Sequence, residues 1–434
     1  MSCKSVKYKD KKGSVLILSL VVIVALLIYA AAFISAGINQ SLIVEISKRQ
    51  ASSFNLAEAG LDHAIVWLRA QPSPPIGNNT DPWGAVQNVG GGSYSVTITD
   101  LGPVGGSVTI RRYRVTSTGS FSNVNRVLTN YVQVDNYARY LWFTDREVFN
   151  GSNVWFWTQD HLNGPTHTNG HFNIYGNPVF QSQVRSVDGY IRFYNNGNNV
   201  NLNQTTNPPY DLPNFQQGVD FGAEIITMPS QALSLRSAAA NGGLYLRGNT
   251  TIVLNNNGTM NVTNSRKGWN NQNMALPANG ALFVYSGNLT ISGTLNGRIT
   301  TGASGDVIIP NSIVYADDPR TIPTSDDTMG IISESDIIID DAAPTNLEID
   351  AVAMALNTSF MRENWWVGPP KGTLTVYGGI IQDERGPVGT FNGSTGQKVS
   401  GYSKNYSYDS RLLGSPPPFM PTTGDYVTLS WEEN

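Results

Sequence analysis

The dominant pattern in the chain is a stretch from residue 13 to residue 44 that contains no charged side chain and is mostly aliphatic. A helix of that length is sufficient to cross a hydrocarbon core of roughly 30 Å. Lysines at positions 4, 7, 9, 11 and 12, offset only by Asp10, precede it. A basic head of this kind stays on the cytoplasmic side, so the bulk of the chain is expected outside the cytoplasm. Beyond the run the pattern turns amphipathic. Phe54, Ala57, Leu61, Ala64, Ile65 and Leu68 recur at spacings of three and four, opposite Asn55, Glu58, Asp62 and Arg69, which predicts that the same helix continues to about residue 70. Pro72, Pro74, Pro75 and Gly77 then end it.

Alternation replaces the helical period at 94–99, 108–119 and 126–134, with Gly, Asp and Asn at the breaks, and predicts three antiparallel strands. A small sheet packed on the C-terminal half of the long helix is therefore expected up to residue 136. From Tyr137 the texture changes to short β-branched or aliphatic runs separated by Asn-Gly, Gly-Asn and Ser-Gly turns, as at 282–285, 289–291, 307–309, 313–315 and 337–339. Such a pattern predicts a mainly-β domain, most simply a parallel β-helix whose rungs stack aliphatic on aliphatic, with a β-sandwich as the alternative. The segment 349–360 is expected to form one more rung, with Ala351, Ala353 and Ala355 leaving little bulk on one face.

A cleavable secretory signal has an apolar run of about 7 to 15 residues; this run is about twice that, so the span is expected to be retained. The junction Lys11-Lys12-Gly13-Ser14 resembles the leader of type IV prepilins and pseudopilins. That resemblance implies cutting after Gly13 by a prepilin peptidase, with Ser14 opening the mature chain. The segment 48–61, with Ala57-Glu58-Ala59-Gly60 at its centre, resembles the helix of PilX-type minor pilins. Major pilins carry a glutamate at the fifth mature position, whereas here that position is Leu18. A carboxylate in hydrocarbon is costly without a partner, so the contact it makes in major pilins is not expected here, a feature shared with the K-type pseudopilin and with many PilX-type N-termini. The expected division is 1–13 leader, 14–70 transmembrane and amphipathic helix, 71–136 pilin-like meander and 137–434 β domain. The resemblance implies a minor, tip or initiating subunit of a type IV pilus or pseudopilus, anchored in the inner membrane, with other pilins, the bilayer and the peptidase as partners.

Composition narrows the chemistry. With 434 residues, a net charge of −4 and 14% charged residues, the chain offers no electrostatic support for a nucleic-acid partner. Its single cysteine, Cys3, lies in the expected leader, which leaves the mature chain neither disulfides nor thiolate metal sites. The densest polar motif is 159–180, which contains Asp160, His161, His167, Asn169 and His171 and three of the four histidines. Its Gly-Pro-x-His-Thr-Asn core leading into Gly-Asn-Pro-x-Phe, with 408–412 and 416–419 near the C-terminus, resembles a domain of unknown function found with pilin-like N-termini; that resemblance covers most of 140–434 and implies no activity. On an extended strand His167 and His171 stand about 13 Å apart, too far for one metal ion. Only a turn at Asn169-Gly170 would let them converge with Asp160 or His161 on zinc. The expectation is instead that these groups hydrogen-bond the backbone of a first coil, with no metal and no cofactor. Acidic pairs at Asp317-Asp318, Asp326-Asp327 and Asp340-Asp341 read as solvated loop residues, and no enzyme activity is expected. Two alternatives stay open: a membrane-anchored, polysaccharide-active β-helix enzyme, which would need converging carboxylates, and a surface adhesin with a glycan as partner, which would need an exposed aromatic groove. For the aromatics, Trp142 and Trp155 are expected in the core or at its cap, and Trp365-Trp366 at a surface contact.

Overall fold

The structure is a computed structural model that describes residues 12–104, 107–203 and 205–433. Residues 1–11, with Cys3 and all of the basic head but Lys12, lie outside the described residues. One helix, Lys12–Arg69, runs for 58 residues, about 87 Å at 1.5 Å per residue. Its N-terminal part is exposed throughout from residue 15 to residue 48, with a most apolar window of mean hydropathy 3.0. It is long and apolar enough to cross a membrane. Leu18 sits in this exposed part, 67% accessible.

The helix changes partner as its sequence turns amphipathic. Leu56, Ala57, Leu61, Ala64 and Leu68 are buried against Tyr94, Val96, Ile98, Tyr113, Val115, Leu128 and Val132. These residues come from strands Gly92–Val104, Ser107–Phe121 and Val124–Asn136, which pair antiparallel in sequence order. The backbones approach closely because the contact lacks bulk: a methyl group added at Gly60 would overlap Ser117 Oγ, and one at Gly119 would overlap Ser53 O and Ala57 N. The Ala57-Glu58-Ala59-Gly60 phrase is thus the place where helix meets sheet.

One boundary differs from expectation. The last strand, Thr422–Glu433, does not join the second domain but returns to pair antiparallel with Val124–Asn136. The large β domain is therefore inserted between two neighbouring strands of the first sheet, and residues 422–433 belong to that sheet. Arg69 Nε reaches Asp425 Oδ1 at 2.6 Å and Arg126 Nη1 reaches Glu433 Oε1 at 3.0 Å, so ion pairs tie the returning strand to both the helix end and the sheet.

The second domain is mainly β, and its central sheet contains 23 strands. Parallel pairing dominates. Ala281–Tyr285, Arg298–Ala303, Thr328–Ser333, Leu347–Ala355 and Pro370–Glu384 stack in order, and the strand where the chain enters, Trp142–Arg146, pairs next. Thr166–Thr168, Val184–Ser186 and Val219–Phe221 extend the stack beyond it. The chain therefore enters in the middle, builds outward to Phe221, then restarts at the far end with Leu244–Arg247, which pairs with Ala281–Tyr285. Register aligns like with like: Val307, Ile308 and Ile309 face Ile337, Ile338 and Ile339.

Ala351, Ala353 and Ala355 are fully buried in the main core, as their small size requires, while Val352 and Met354 point the other way into a second core. That second core is covered by Leu235 and Ala239 of a helix the sequence pattern does not announce, Leu233–Ala240, and by Tyr137, Leu412, Phe419 and Met420. At eight residues this helix is too short to show a clear period.

Candidate functional site

The polar motif is divided among three environments. His167, on the strand Thr166–Thr168 of the large sheet, is fully buried. Its ring stacks on Phe143 at 5.2 Å and 11°, and its Nε2–H donates to Asn169 Oδ1 at 3.0 Å. Asn169 is committed as well, since its amide donates to Asp145 Oδ1 and to Ile226 O while its oxygen accepts the Ile226 N–H. Burial pushes the His167 pKa down to about 4, so the neutral ring is the resident form near neutral pH. His171 faces elsewhere, with Nδ1 2.8 Å from Asp188 Oδ2 and its ring stacked on Tyr190. His161 is exposed.

Asp160 is fully buried and pairs with Lys404 Nζ at 2.6 Å. Its Oδ2 also accepts the Trp157 N–H, closing a turn that returns the Asp160 N–H to Trp157 O. Among the described residues no group of three or more His, Cys, Asp or Glu side chains is placed to hold a metal ion. His167, His171 and Asp160 face separate partners, Asn169, Asp188 and Lys404, and the Asn169-Gly170 segment does not bring them together.

The acidic pairs are likewise dispersed. Asp327 is buried and accepts the Gly297 and Asp317 N–H groups, Asp318 pairs with Arg320, and Asp341 pairs with Arg362. Asp327 is therefore not the solvated loop residue expected of it, because two backbone donors draw it inward. Asp350, which the sequence did not single out, is buried beside Arg320 and Glu348. Burial pushes its pKa up to about 7 against the pull of Arg320.

What the fold does bring together is aromatic. A cleft of about 470 Å³ is bordered by Phe149, Trp155, Trp157, Tyr194, Trp365 and Phe391, within the size range of about 300–1,000 Å³ usual for ligand sites. Four segments supply its rings, Tyr194 following the strand Ile191–Phe193 and the others built as follows. A hairpin, Val148–Phe149 with Ser152–Asn153, turns at Asn150 and Gly151, both at positive φ (48° and 75°), as a two-residue turn of type I′ requires. The loop carrying Trp365 is locked by buried Arg362, whose Nη1 donates to Asn364 O and Val367 O, and by Ser400 Oγ donating to Trp365 O at 2.6 Å. Phe391 comes from the antiparallel pair Gly389–Phe391 and Lys398–Ser407.

Rings meet as pairs: Phe149 with Trp365 and Trp155 with Tyr194 edge to face, and Trp157 with Phe391 parallel at 5.4 Å. Trp142 is buried, as expected, and Trp366 is 59% exposed. Trp155 departs from expectation: it is half-buried and borders the cleft, because the hairpin before it turns away from the core.

Beneath the cleft lies a buried ion pair. Arg385 Nη1 bonds Glu147 Oε2 at 3.0 Å and Val154 O at 3.1 Å, and its guanidinium lies 3.5 Å from the Phe156 ring centroid. Neither Glu147, Arg385 nor Lys404 carries a sequence signal, since their partners stand more than two hundred residues away.

Residues 109–188 match the family model of a domain of unknown function, DUF4900. That span straddles the two sheets and includes His161, His167, Asn169 and His171. No curated protein matches the chain. Among solved structures, the competence-associated pilin ComZ from Thermus thermophilus is similar, with a TM-score of 0.34 and 11% identity over 88% of this chain and 97% of that one.

Proposed function

We propose that this chain is a pilin-like, membrane-anchored subunit that displays a large β domain outside the cytoplasm. One observation carries the reading: a single helix is wholly exposed and apolar along its first part, then buried against an antiparallel sheet along its second. A free apolar helix of this length needs lipid or neighbouring helices around it. In the proposed mechanism, prepilin peptidase cuts after Gly13, and the span is held in the inner membrane until it packs with other pilins.

The inserted domain, which we read as a parallel β-helix on the strength of its stacked parallel rungs, would crowd a filament if every subunit carried it. That bulk, together with Leu18 in place of the glutamate of major pilins, favours a minor subunit at a tip or at initiation, of PilX type, in a type IV pilus or pseudopilus. No enzymatic step is proposed. The test is to shear surface filaments from cells and probe them for the chain. Recovery at a few copies per filament supports the reading; recovery only in the membrane fraction under conditions of full piliation argues against it.

A further inference from the structure

We infer that the aromatic cleft is a binding site for a short neutral saccharide. The cleft offers what a sugar ring requires: aromatic rings for its C–H surfaces and, in the same lining, the polar side chains of Asn150, Ser152 and Asn153 for its hydroxyls.

The charge of the ligand follows from the lining. No Asp or Glu is among the described residues that border the cleft, and the ammonium groups of its two lysines are already engaged. Lys404 is paired with Asp160, while Lys398 Nζ donates to Lys371 O, Gly372 O and Ser403 Oγ. All three ammonium donors of Lys398 are thus spent inside the protein. An anionic sugar would find no ammonium group to bond without displacing one of these partners, and a cationic ligand would meet no carboxylate in the described lining. The missing carboxylates also matter for chemistry, because glycoside hydrolysis ordinarily takes a pair of them flanking the bond. The site therefore holds a glycan without cutting it.

The cleft is also built to keep its shape. Asp160 fixes Trp157 through its backbone N–H and fixes Lys404 by charge, and Ser400 and Arg362 hold the Trp365 loop. This gives the buried Asp160 of the polar motif a purpose as a positioning residue for the cleft.

Tryptophan fluorescence of the detergent-solubilised full chain tests the inference, titrated at millimolar concentration with maltotriose, cellotriose, chitotriose and mannotriose, and with trigalacturonate as the anionic comparison. At least one neutral trisaccharide is expected to give a saturable change and trigalacturonate none. Trp155→Ala and Trp365→Ala are each expected to weaken that binding roughly tenfold, which corresponds to about 1.4 kcal/mol. Trp431→Ala, which alters an exposed ring on the strand Thr422–Glu433 of the first sheet, is expected to bind as the parent does, and thermal melts of all three variants check folding. A panel of neutral sugars that all fail, binding unchanged in folded Trp155→Ala and Trp365→Ala, or preferential binding of trigalacturonate would each overturn the inference.

Discussion

Replacing Glu147 with glutamine removes one charge from the pair beneath the cleft and leaves the other in place. Arg385 is 1% exposed and Glu147 2%, so the guanidinium has no route to water. Breaking a buried pair from one side typically costs about 3–5 kcal/mol, because an uncompensated charge stays behind. The surroundings set the position within that range. Glutamine keeps an acceptor for Thr144 Oγ1 and Trp142 Nε1, and Arg385 keeps its bond to Val154 O and its place over Phe156; a desolvated cation–π contact contributes about 2 kcal/mol. A cost near the lower end, about 3 kcal/mol, is expected.

The double variant Glu147→Gln with Arg385→Met removes both charges and is expected to lie within about 2 kcal/mol of the parent, since well-packed apolar replacements of buried pairs are often close to neutral. The assay is urea unfolding of the solubilised chain followed by tryptophan fluorescence, with the two single variants and the double forming a cycle. The reasoning fails if Glu147→Gln costs less than about 1 kcal/mol, or if the double variant loses the sum of the two singles.

His167 predicts an acid-sensitive step. Its folded pKa of about 4 lies below the unfolded value of 6.5, so its contribution to stability is complete above pH 6.5, falls as the pH drops towards 4 and is flat below. The loss is roughly 3 kcal/mol, and His167→Gln is expected to flatten that part of a plot of urea midpoint against pH. Gly119→Ala is expected to cost about 3 kcal/mol or more, because the new methyl group meets the helix backbone at Ser53 and Ala57; cysteine cross-linking between helix and sheet would report the separation. Deleting residues 422–433 is expected to destabilise the first sheet rather than the second domain, since among the described residues that strand pairs only with Val124–Asn136; hydrogen exchange resolved by segment distinguishes the two.

How much of this was legible in the sequence depended on distance along the chain. The long helix and its amphipathic continuation were readable because their signal is local: uncharged residues to Val44, then Ala57, Leu61, Ala64 and Leu68 at helical spacing. The short strands from Leu282 onward were readable for the same reason. The return of Thr422–Glu433 to the first sheet was not, because an alternating strand carries no record of its partner, and this partner lies some three hundred residues back. Asp160 and Lys404 are 244 residues apart, so the sequence could suggest that Asp160 hydrogen-bonds the backbone, as it does at Trp157, but not that it carries a buried cation. The cleft was not legible for the same reason: its rings come from four separate segments, and only the fold places Trp155 beside Tyr194 and Trp365 beside Phe149.

The central claim is that the exposed helix enters the pilin pathway, and the N-terminal sequence of the chain isolated from native membranes tests it most directly, with and without prepilin peptidase. The account predicts a chain that begins at Ser14 when the peptidase is present, and uncut chain when it is absent or when Gly13 is replaced. A chain that keeps Met1 in the presence of the peptidase, or one that has lost the whole apolar span, would contradict it.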